Sequence, residues 1–281
     1  MKRLGVKGLT ELPFGRAKTV RSAAHKPWGF SDGRPWDDTS SVDLVAQGIS
    51  VRFEGLVAVD AVDLHLRAGE ILGLIGPNGA GKTTLINALS GFVRSMTGRV
   101  SLGEIPVTRW SPAKLSRLGM ARTFQSVRLF RDLSVIENVA AAGVCAGLSR
   151  RQAWEDARAL LRRINFEERA TDSAASLAHG DERRVGILRA LATQPKVLLI
   201  DEPSAGLNEI ETDQVTEVLS AIRNDFGCAL LVVEHDMRLI MSLCNRIQVL
   251  DRGRTISVGT PAETRANPAV VQAYLGTAAA S

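Results

Sequence analysis

The segment Gly76-Pro77-Asn78-Gly79-Ala80-Gly81-Lys82-Thr83 constrains the fold more than any other stretch of this chain. It follows ILGLI at 71–75, five residues without one polar side chain, and leads into a helical pattern from Lys82 to about Ser90. An all-apolar run of that length reads as a strand covered on both faces, so the local order is buried strand, glycine-rich turn, helix. The spacing satisfies G-x-x-x-x-G-K-[ST] in the setting that gives the pattern meaning. Glycines let the backbone bend until successive N–H groups converge on one anion. The following helix offers its unpaired N–H groups and positive dipole end to the same place. Residues Gly76 to Gly81 therefore read as a phosphate cradle, Lys82 as the cation for β- and γ-phosphates, and Thr83 as the hydroxyl that reaches magnesium.

The rest of the chain supplies a sheet to carry this turn. Ile49, Val51 and Phe53 alternate with Ser50 and Arg52, and Val62, Leu64 and Leu66 alternate with Asp63, His65 and Arg67. Both read as half-buried strands, with His65 a surface residue on the polar side. In a helical middle region, Trp154, Ala157, Leu160, Leu161 and Ile164 recur at three- and four-residue spacing, the mark of a core-facing stripe. Then come VLLI at 197–200, a helix with Val215, Val218, Leu219, Ile222 and Phe226 on one face, ALLVV at 229–233, a helix from about Asp236, and IQVL at 247–250. Strands separated by helices imply an α/β fold with a mostly parallel sheet covered on both sides and split in sequence by a helical insertion.

Composition narrows the classes. With 281 residues, 45% of them hydrophobic and 23% charged, the chain reads as globular with a sizeable core. No window holds the 18 or so apolar residues of a membrane-spanning helix, and charges and prolines interrupt MKRLGVKGLTELPFGR before a signal sequence could form. Cys145, Cys228 and Cys244 are odd in number and lack CxxC spacing, which argues against disulfides or zinc, so each is expected to be a small core residue. Residues 1–43 hold eight basic and five acidic side chains, +3 of the formal +5. The remainder is nearly balanced, so charge nominates no nucleic acid. That segment, punctuated by Pro13, Pro27 and Pro35, reads as a flexible extension whose aromatics Phe14, Trp28, Phe30 and Trp36 have no period.

Two strand ends add chemistry to the cradle. VLLI runs into Asp201-Glu202, which puts two carboxylates at the carboxyl edge of a parallel sheet, where α/β sites form. Asp201 suits the magnesium shell, and Glu202 suits acceptance of a proton from an attacking water. ALLVV ends in Glu234-His235-Asp236, so His235 emerges at the same edge and is placed to donate to a γ-phosphate.

From about residue 44 to the end, at 281, the chain resembles the ATP-binding subunits of ABC transporters. Its ordered motifs are Phe53 as the adenine-stacking aromatic, the phosphate loop with Thr83 and Thr84, a glutamine loop Arg122-Thr123-Phe124-Gln125, a signature Leu177-Ala178-His179-Gly180-Asp181, the pair Asp201-Glu202, a D-loop Ser204-Ala205-Gly206-Leu207-Asn208, and the switch histidine His235. The resemblance implies a P-loop NTPase fold with a mostly parallel core sheet, an N-terminal antiparallel β-subdomain and an inserted helical subdomain over about 125–190. It also implies ATP and Mg2+ as cofactors, with Thr83, Gln125 and Asp201 at the metal and Glu202, His235, Lys82 and Gln125 in catalysis. A second ATP-binding subunit, identical or paralogous, is expected head to tail, its signature closing over the nucleotide.

Departures and details refine this. The common signature LSGGQ reads LAHGD here, so Ala178 lacks a serine hydroxyl and Asp181 replaces an amide, which implies a weaker contact across the dimer. His179 is a titratable group beside the phosphates, and Asn208 stands where many members have aspartate. The strings RTFQSVRLFRDLSVIENV, DEPSAGLN, VVEHDMRLIM and VVQAYLG are similar to the branched-chain amino-acid importer branch. The resemblance then implies integral-membrane permease subunits touched by the segment Val127 to Val139, an extracytoplasmic solute-binding protein as an indirect partner, and a place on the cytoplasmic face of the membrane. A soluble ATPase of this class acting on nucleic acid or ribosomes is the rival; such chains carry a long coiled-coil insertion or two cassettes, whereas Thr83 and Leu177 are fewer than a hundred residues apart.

Overall fold

The computed structural model describes residues 42–125 and 127–278, without the side chains of residue 224 and of 275–278. The expected extension lies, but for Val42 and Asp43, outside the described residues, as do Phe14, Trp28, Phe30 and Trp36. In chain order the elements are β1 (Leu44–Phe53), β2 (Leu56–Leu66), β3 (Ile71–Ile75), α1 (Lys82–Leu89), β4 (Met96–Leu102), β5 (Ile105–Pro106), α2 (Pro112–Arg117), β6 (Met120–Arg122), α3 (Val135–Cys145) and α4 (Arg150–Arg163). They continue with α5 (His179–Leu191), β7 (Val197–Asp201), α6 (Glu209–Phe226), β8 (Ala229–Val233), α7 (Met237–Leu243), β9 (Arg246–Asp251), β10 (Arg254–Gly259), α8 (Pro261–Ala266) and α9 (Pro268–Ala278).

Two sheets result. The first is antiparallel in the order β2-β1-β4-β5, and the second runs β10-β9-β3-β8-β7-β6 with every pairing parallel except β9 with β10. The hairpin between β1 and β2 turns on Glu54 and Gly55, both at positive φ, 42° and 93°, the geometry whose twist matches that of the flanking strands. In the second sheet β3, β7 and β8 are buried at every residue. Their period of two divides the interior. Ile71, Ile75, Leu198, Ile200, Leu230 and Val232 pack with the helices α3 to α7, while Leu72, Leu74, Val197, Leu199, Leu231 and Val233 pack with α1 and the antiparallel sheet.

The helical insertion, α3 to α5, lies in sequence between the edge strand β6 and its neighbour β7. The α6 stripe is as the spacing requires: Val215, Val218, Leu219, Ile222 and Phe226 are all buried. Asn208 caps that helix, its Oδ1 accepting from Glu211 N (3.0 Å) while Glu211 Oε2 accepts from Asn208 N (3.0 Å).

Two expectations need correction. In α4, Ala157, Leu160 and Leu161 are buried, but Trp154 is 43% exposed. The stripe is instead centred on Ala153, which faces Gly143 where α3 and α4 cross; a Cβ on Gly143 would come within 3.2 Å of the Ala153 methyl. Helices that close leave no room for an indole, so Trp154, 100° round the helix, looks outward. Of the cysteines, Cys228 and Cys244 are core residues whose thiols burial pushes up to about 12, whereas Cys145, in the last turn of α3, is exposed. His65 is half-buried, its Nε2 2.7 Å from Asp43 Oδ2.

Candidate functional site: a phosphate loop beside three carboxylates at two strand ends

Backbone geometry shows why the turn after β3 needs its glycines. Gly76, Gly79 and Gly81 have φ of 152°, 78° and 99°. A Cβ on Gly76 would collide with the Leu250 carbonyl, and one on Gly81 would lie 2.5 Å from Ala58 O. Nothing lies within 4 Å of the same point on Gly79, where the loop is open. Lys82, the first residue of α1, is buried, and its Nζ donates to Gly76 O (2.7 Å) and Pro77 O (3.0 Å). Burial lowers its pKa, opposed by the nearby charges of Glu202, Asp201 and Glu234. Thr83 is exposed and Thr84 half-exposed in the first turn of α1, while Ala80 is buried, its N–H donating to Pro77 O (3.1 Å). Phe53, 42% exposed, stands beside the hairpin turn of the antiparallel sheet.

The acidic pair is held by two different partners. Asp201 Oδ2 accepts from Arg122 Nη2 at 2.8 Å, with both side chains under a tenth exposed. Glu202 has φ of 45°, in the left-handed region. That conformation costs a non-glycine residue roughly 1–2 kcal/mol, and its N–H donates to Val233 O across the sheet (2.8 Å). The bend brings the Glu202 carboxylate to Gln125, whose Nε2 donates to Oε2 at 2.8 Å. Strain of this kind is kept where the surroundings enforce it, and here it separates the directions of two adjacent carboxylates.

A third carboxylate carries more contacts than the sequence reading assigned it. Glu234 is fully buried at the end of β8. Its Oε1 accepts from Ser204 N (2.8 Å) and Ser204 Oγ (2.5 Å), and its Oε2 accepts from His235 N (2.6 Å) and Asp236 N (3.1 Å). One side chain thus joins the D-loop to the segment carrying His235, whose ring is 59% exposed. The available signal was a carboxylate directly after five apolar residues, where only hydrogen bonds can solvate it. Arg183, in α5, was missed in the same way. It is buried and donates to the backbone carbonyls of Gln125 (2.5 Å), Phe124 (3.3 Å) and Ala205 (3.4 Å), binding the glutamine loop to the D-loop.

No hydrogen bond or ion pair among the described residues joins Leu177–Asp181 to the phosphate loop. Leu177 is buried, Ala178 caps α5 without a side-chain bond, and His179 is exposed. Gly180 is buried against Glu211, whose carboxyl a Cβ would meet at 2.8 Å. Asp181 bonds to Arg169 and to Arg184 Nη1 (3.2 Å), and both guanidinium groups lie over the Phe166 ring at 5.3 and 4.7 Å. Its charge is therefore neutralised inside its own subdomain.

For magnesium, the donor types agree. Among the described residues no cluster of three or more His, Cys, Asp or Glu could hold a metal alone. A hydroxyl and a single carboxylate are what magnesium uses when phosphates and water complete its shell. Between the sheet and the inserted helices there is also a cavity of about 700 Å³, lined in part by Phe92, Leu115, Arg122, Phe124, Val127 and Arg189.

Comparison with known proteins gives a consistent outcome. Residues 59–205 match the family model described as ABC transporter, and residues 254–280 match that of the branched-chain amino acid ATP-binding cassette transporter. The chain is 43% identical over 250 residues to the high-affinity branched-chain amino acid transport ATP-binding protein LivG of Salmonella typhimurium, covering 84% of this chain and 98% of that one. It is 39% identical to the corresponding protein BraF of Pseudomonas aeruginosa over the same shares. Among solved structures it is similar to the ADP conformation of an ATP-binding cassette of an ABC transporter, with a TM-score of 0.76, 28% identity, and coverage of 84% of this chain and 99% of the other.

Proposed function

We propose, for a chain that belongs to the ABC transporter family of ATP-binding proteins, that its ATP hydrolysis drives import of a branched-chain amino acid, or a closely related amino acid or amide, through separate permease subunits. The ATPase part of this reading is carried by the buried Lys82 ammonium among the charges of Glu202 and Asp201, with Glu202 bonded to Gln125, and the solute class by the likeness to LivG and BraF. Family membership makes the chain an ATPase that works with membrane permeases and dimerises. Residues 44–281 form the cassette, with the helical subdomain spanning about 125–190.

Each residue then has a task. Backbone N–H groups of Gly76 to Gly81 and the start of α1 hold the phosphates, and Lys82 exchanges its two loop carbonyls for phosphate oxygens. Phe53 stacks on adenine. Thr83, Asp201 and Gln125 would hold magnesium, which would supply charge neutralisation of the phosphate oxygens. Glu202 accepts the proton of the attacking water once the Gln125 amide releases it, and His235 donates to the γ-phosphate. Residues Leu177 to Asp181 of the second subunit, identical or paralogous, close the site, so that hydrolysis opens the dimer.

Coupling to transport runs through the cavity between the sheet and the inserted helices. Its aromatic walls and arginines suit an apolar, acid-bearing cytoplasmic segment of a permease, and the stretch Val127 to Val139 borders it. Among the described residues no helix is long and apolar enough to cross a membrane. Its permease partners place the chain at the cytoplasmic face in this reading, and an extracytoplasmic binding protein delivers the solute. The test is co-expression with its permease subunits and binding protein in vesicles. Uptake of labelled leucine should require ATP and cease in Glu202→Gln; ATPase activity without leucine-dependent stimulation would transfer the reading to another solute.

A further inference from the structure

We propose that Arg122 is a positioning residue, which holds the Asp201 carboxylate in register for the metal and ties it to the aromatic wall of the cavity between the sheet and the inserted helices. This rests on the reading of Asp201 as the magnesium carboxylate.

Arg122 ends β6, and in the parallel register it lies opposite Leu199, two residues short of Asp201. Its side chain is 7% exposed, and both terminal nitrogens are bonded while the buried Nε has no partner among the described residues. Nη2 donates to Asp201 Oδ2 (2.8 Å), and Nη1 donates to Asn87 Oδ1 (2.7 Å) and Ser90 Oγ (2.8 Å). Ser90 Oγ in turn donates to Ile86 O (2.5 Å), which fixes the direction of its lone pairs. The rings of Phe92 and Phe124 lie 5.4 and 4.9 Å from the guanidinium carbon, and the two rings are perpendicular to each other with centroids 5.4 Å apart. Only a flat, forked cation can meet three acceptors in its plane while lying against aromatic rings.

The groups that Arg122 joins lie on elements that also carry the candidate nucleotide residues. Asn87 lies near the end of α1 and Ser90 is its C-cap; the first residue of that helix is Lys82. Asp201 ends β7, and Phe124 directly precedes Gln125. Phe92, Arg122 and Phe124 also line the 700 Å³ cavity. A partner segment that displaces Phe124 there removes a wall from the guanidinium, and the guanidinium is bonded to Asp201. Without it, that carboxylate is free to turn toward the Lys82 ammonium, whose surroundings already include Asp201.

The experiment measures the magnesium concentration that gives half-maximal binding of a fluorescent mant-ATP to the purified full-length protein, with binding in EDTA and thermal melting as controls. Partners that orient a metal-binding residue are typically worth about 10–100-fold in metal affinity. Arg122→Lys, which retains charge and loses the fork, and Arg122→Gln should both raise the half-maximal magnesium about tenfold or more, with EDTA binding within about twofold of wild type. Phe124→Leu, a change at a side chain 46% exposed, should shift it the same way by a smaller factor. Were the arginine only a repelling charge, Arg122→Lys would match wild type and Arg122→Gln would need less magnesium; were it only structural, melting would fall at unchanged magnesium dependence. Either pattern overturns the proposal, and an unaltered Phe124→Leu overturns its link to the cavity. Asp201→Asn separates the premise: if that variant keeps wild-type magnesium dependence, the reading of Asp201 fails and Arg122 with it, whereas a shift in Asp201→Asn alone removes only Arg122.

Discussion

Gln125 donates its side-chain amide to the Glu202 carboxylate across 2.8 Å, linking residues 77 apart in sequence at the border between the sheet and the inserted helices. The amide occupies one of the two oxygens with which the proposed base would take a proton. Release of Glu202 is therefore coupled to movement of the glutamine loop, whose backbone Arg183 ties to the D-loop.

Glu202→Gln should keep nucleotide affinity and lose proton acceptance, lowering kcat by about 10²–10⁴-fold. Size-exclusion chromatography with ATP should then show an accumulating dimer. Turnover within a factor of two of wild type would take the general-base role away from this residue.

Lys82→Ala removes a buried ammonium whose present acceptors, Gly76 O and Pro77 O, belong to the loop itself. A charge-assisted hydrogen bond contributes about 1.5–3 kcal/mol, so the Kd for ATP should rise roughly 10–100-fold. Isothermal titration at fixed magnesium reads this directly. The fold should tolerate the change, because both carbonyls retain the rest of the loop as neighbours.

Glu234→Ala should act on stability before activity. It strands the Ser204 hydroxyl and the N–H groups of Ser204, His235 and Asp236 around a fully buried position. Leaving such donors unsatisfied costs about 1–3 kcal/mol each in a dry site, so chemical denaturation should show a loss of at least about 3 kcal/mol. A loss below about 1 kcal/mol would mean that water replaces the carboxylate.

Acid should loosen the start of α3 specifically. Glu137 accepts from both the N–H and the hydroxyl of Ser134, its helix cap, and these bonds hold its carboxyl below the usual carboxylate range. A folded-state pKa below the unfolded one gives stability that is present above the unfolded value of about 4.5 and disappears as pH falls through the folded value. Ser134→Ala should thus be destabilised relative to wild type at pH 7, and the gap should narrow as pH falls below 4.5. A gap independent of pH would assign the cap to the Ser134 hydroxyl alone.

Much of the architecture was legible because it follows from short-range patterns. The unbroken apolar runs ILGLI, VLLI and ALLVV marked strands covered on both faces, as their alternate side chains in two different cores require, and the spacing of Val215 to Phe226 marked one buried helix face. Trp154 and Cys145 defeated the same reasoning. A stripe with several apolar candidates does not reveal its centre until the neighbouring helix is in place, and here Gly143 and Ala153 set a crossing too close for a large ring.

The sequence alone determined the central strands and the candidate groups they carry: a phosphate loop, two carboxylates at one strand end and a histidine at the next, each identified by residues within a few positions of one another. Only the tertiary structure decided what those groups are bonded to. The partners of Asp201 and Glu202 are Arg122 and Gln125. They come from another strand and another loop, and no local propensity encodes them. A charge or donor taken out of water must find its partner somewhere in space, and which one it meets is set by packing between distant segments.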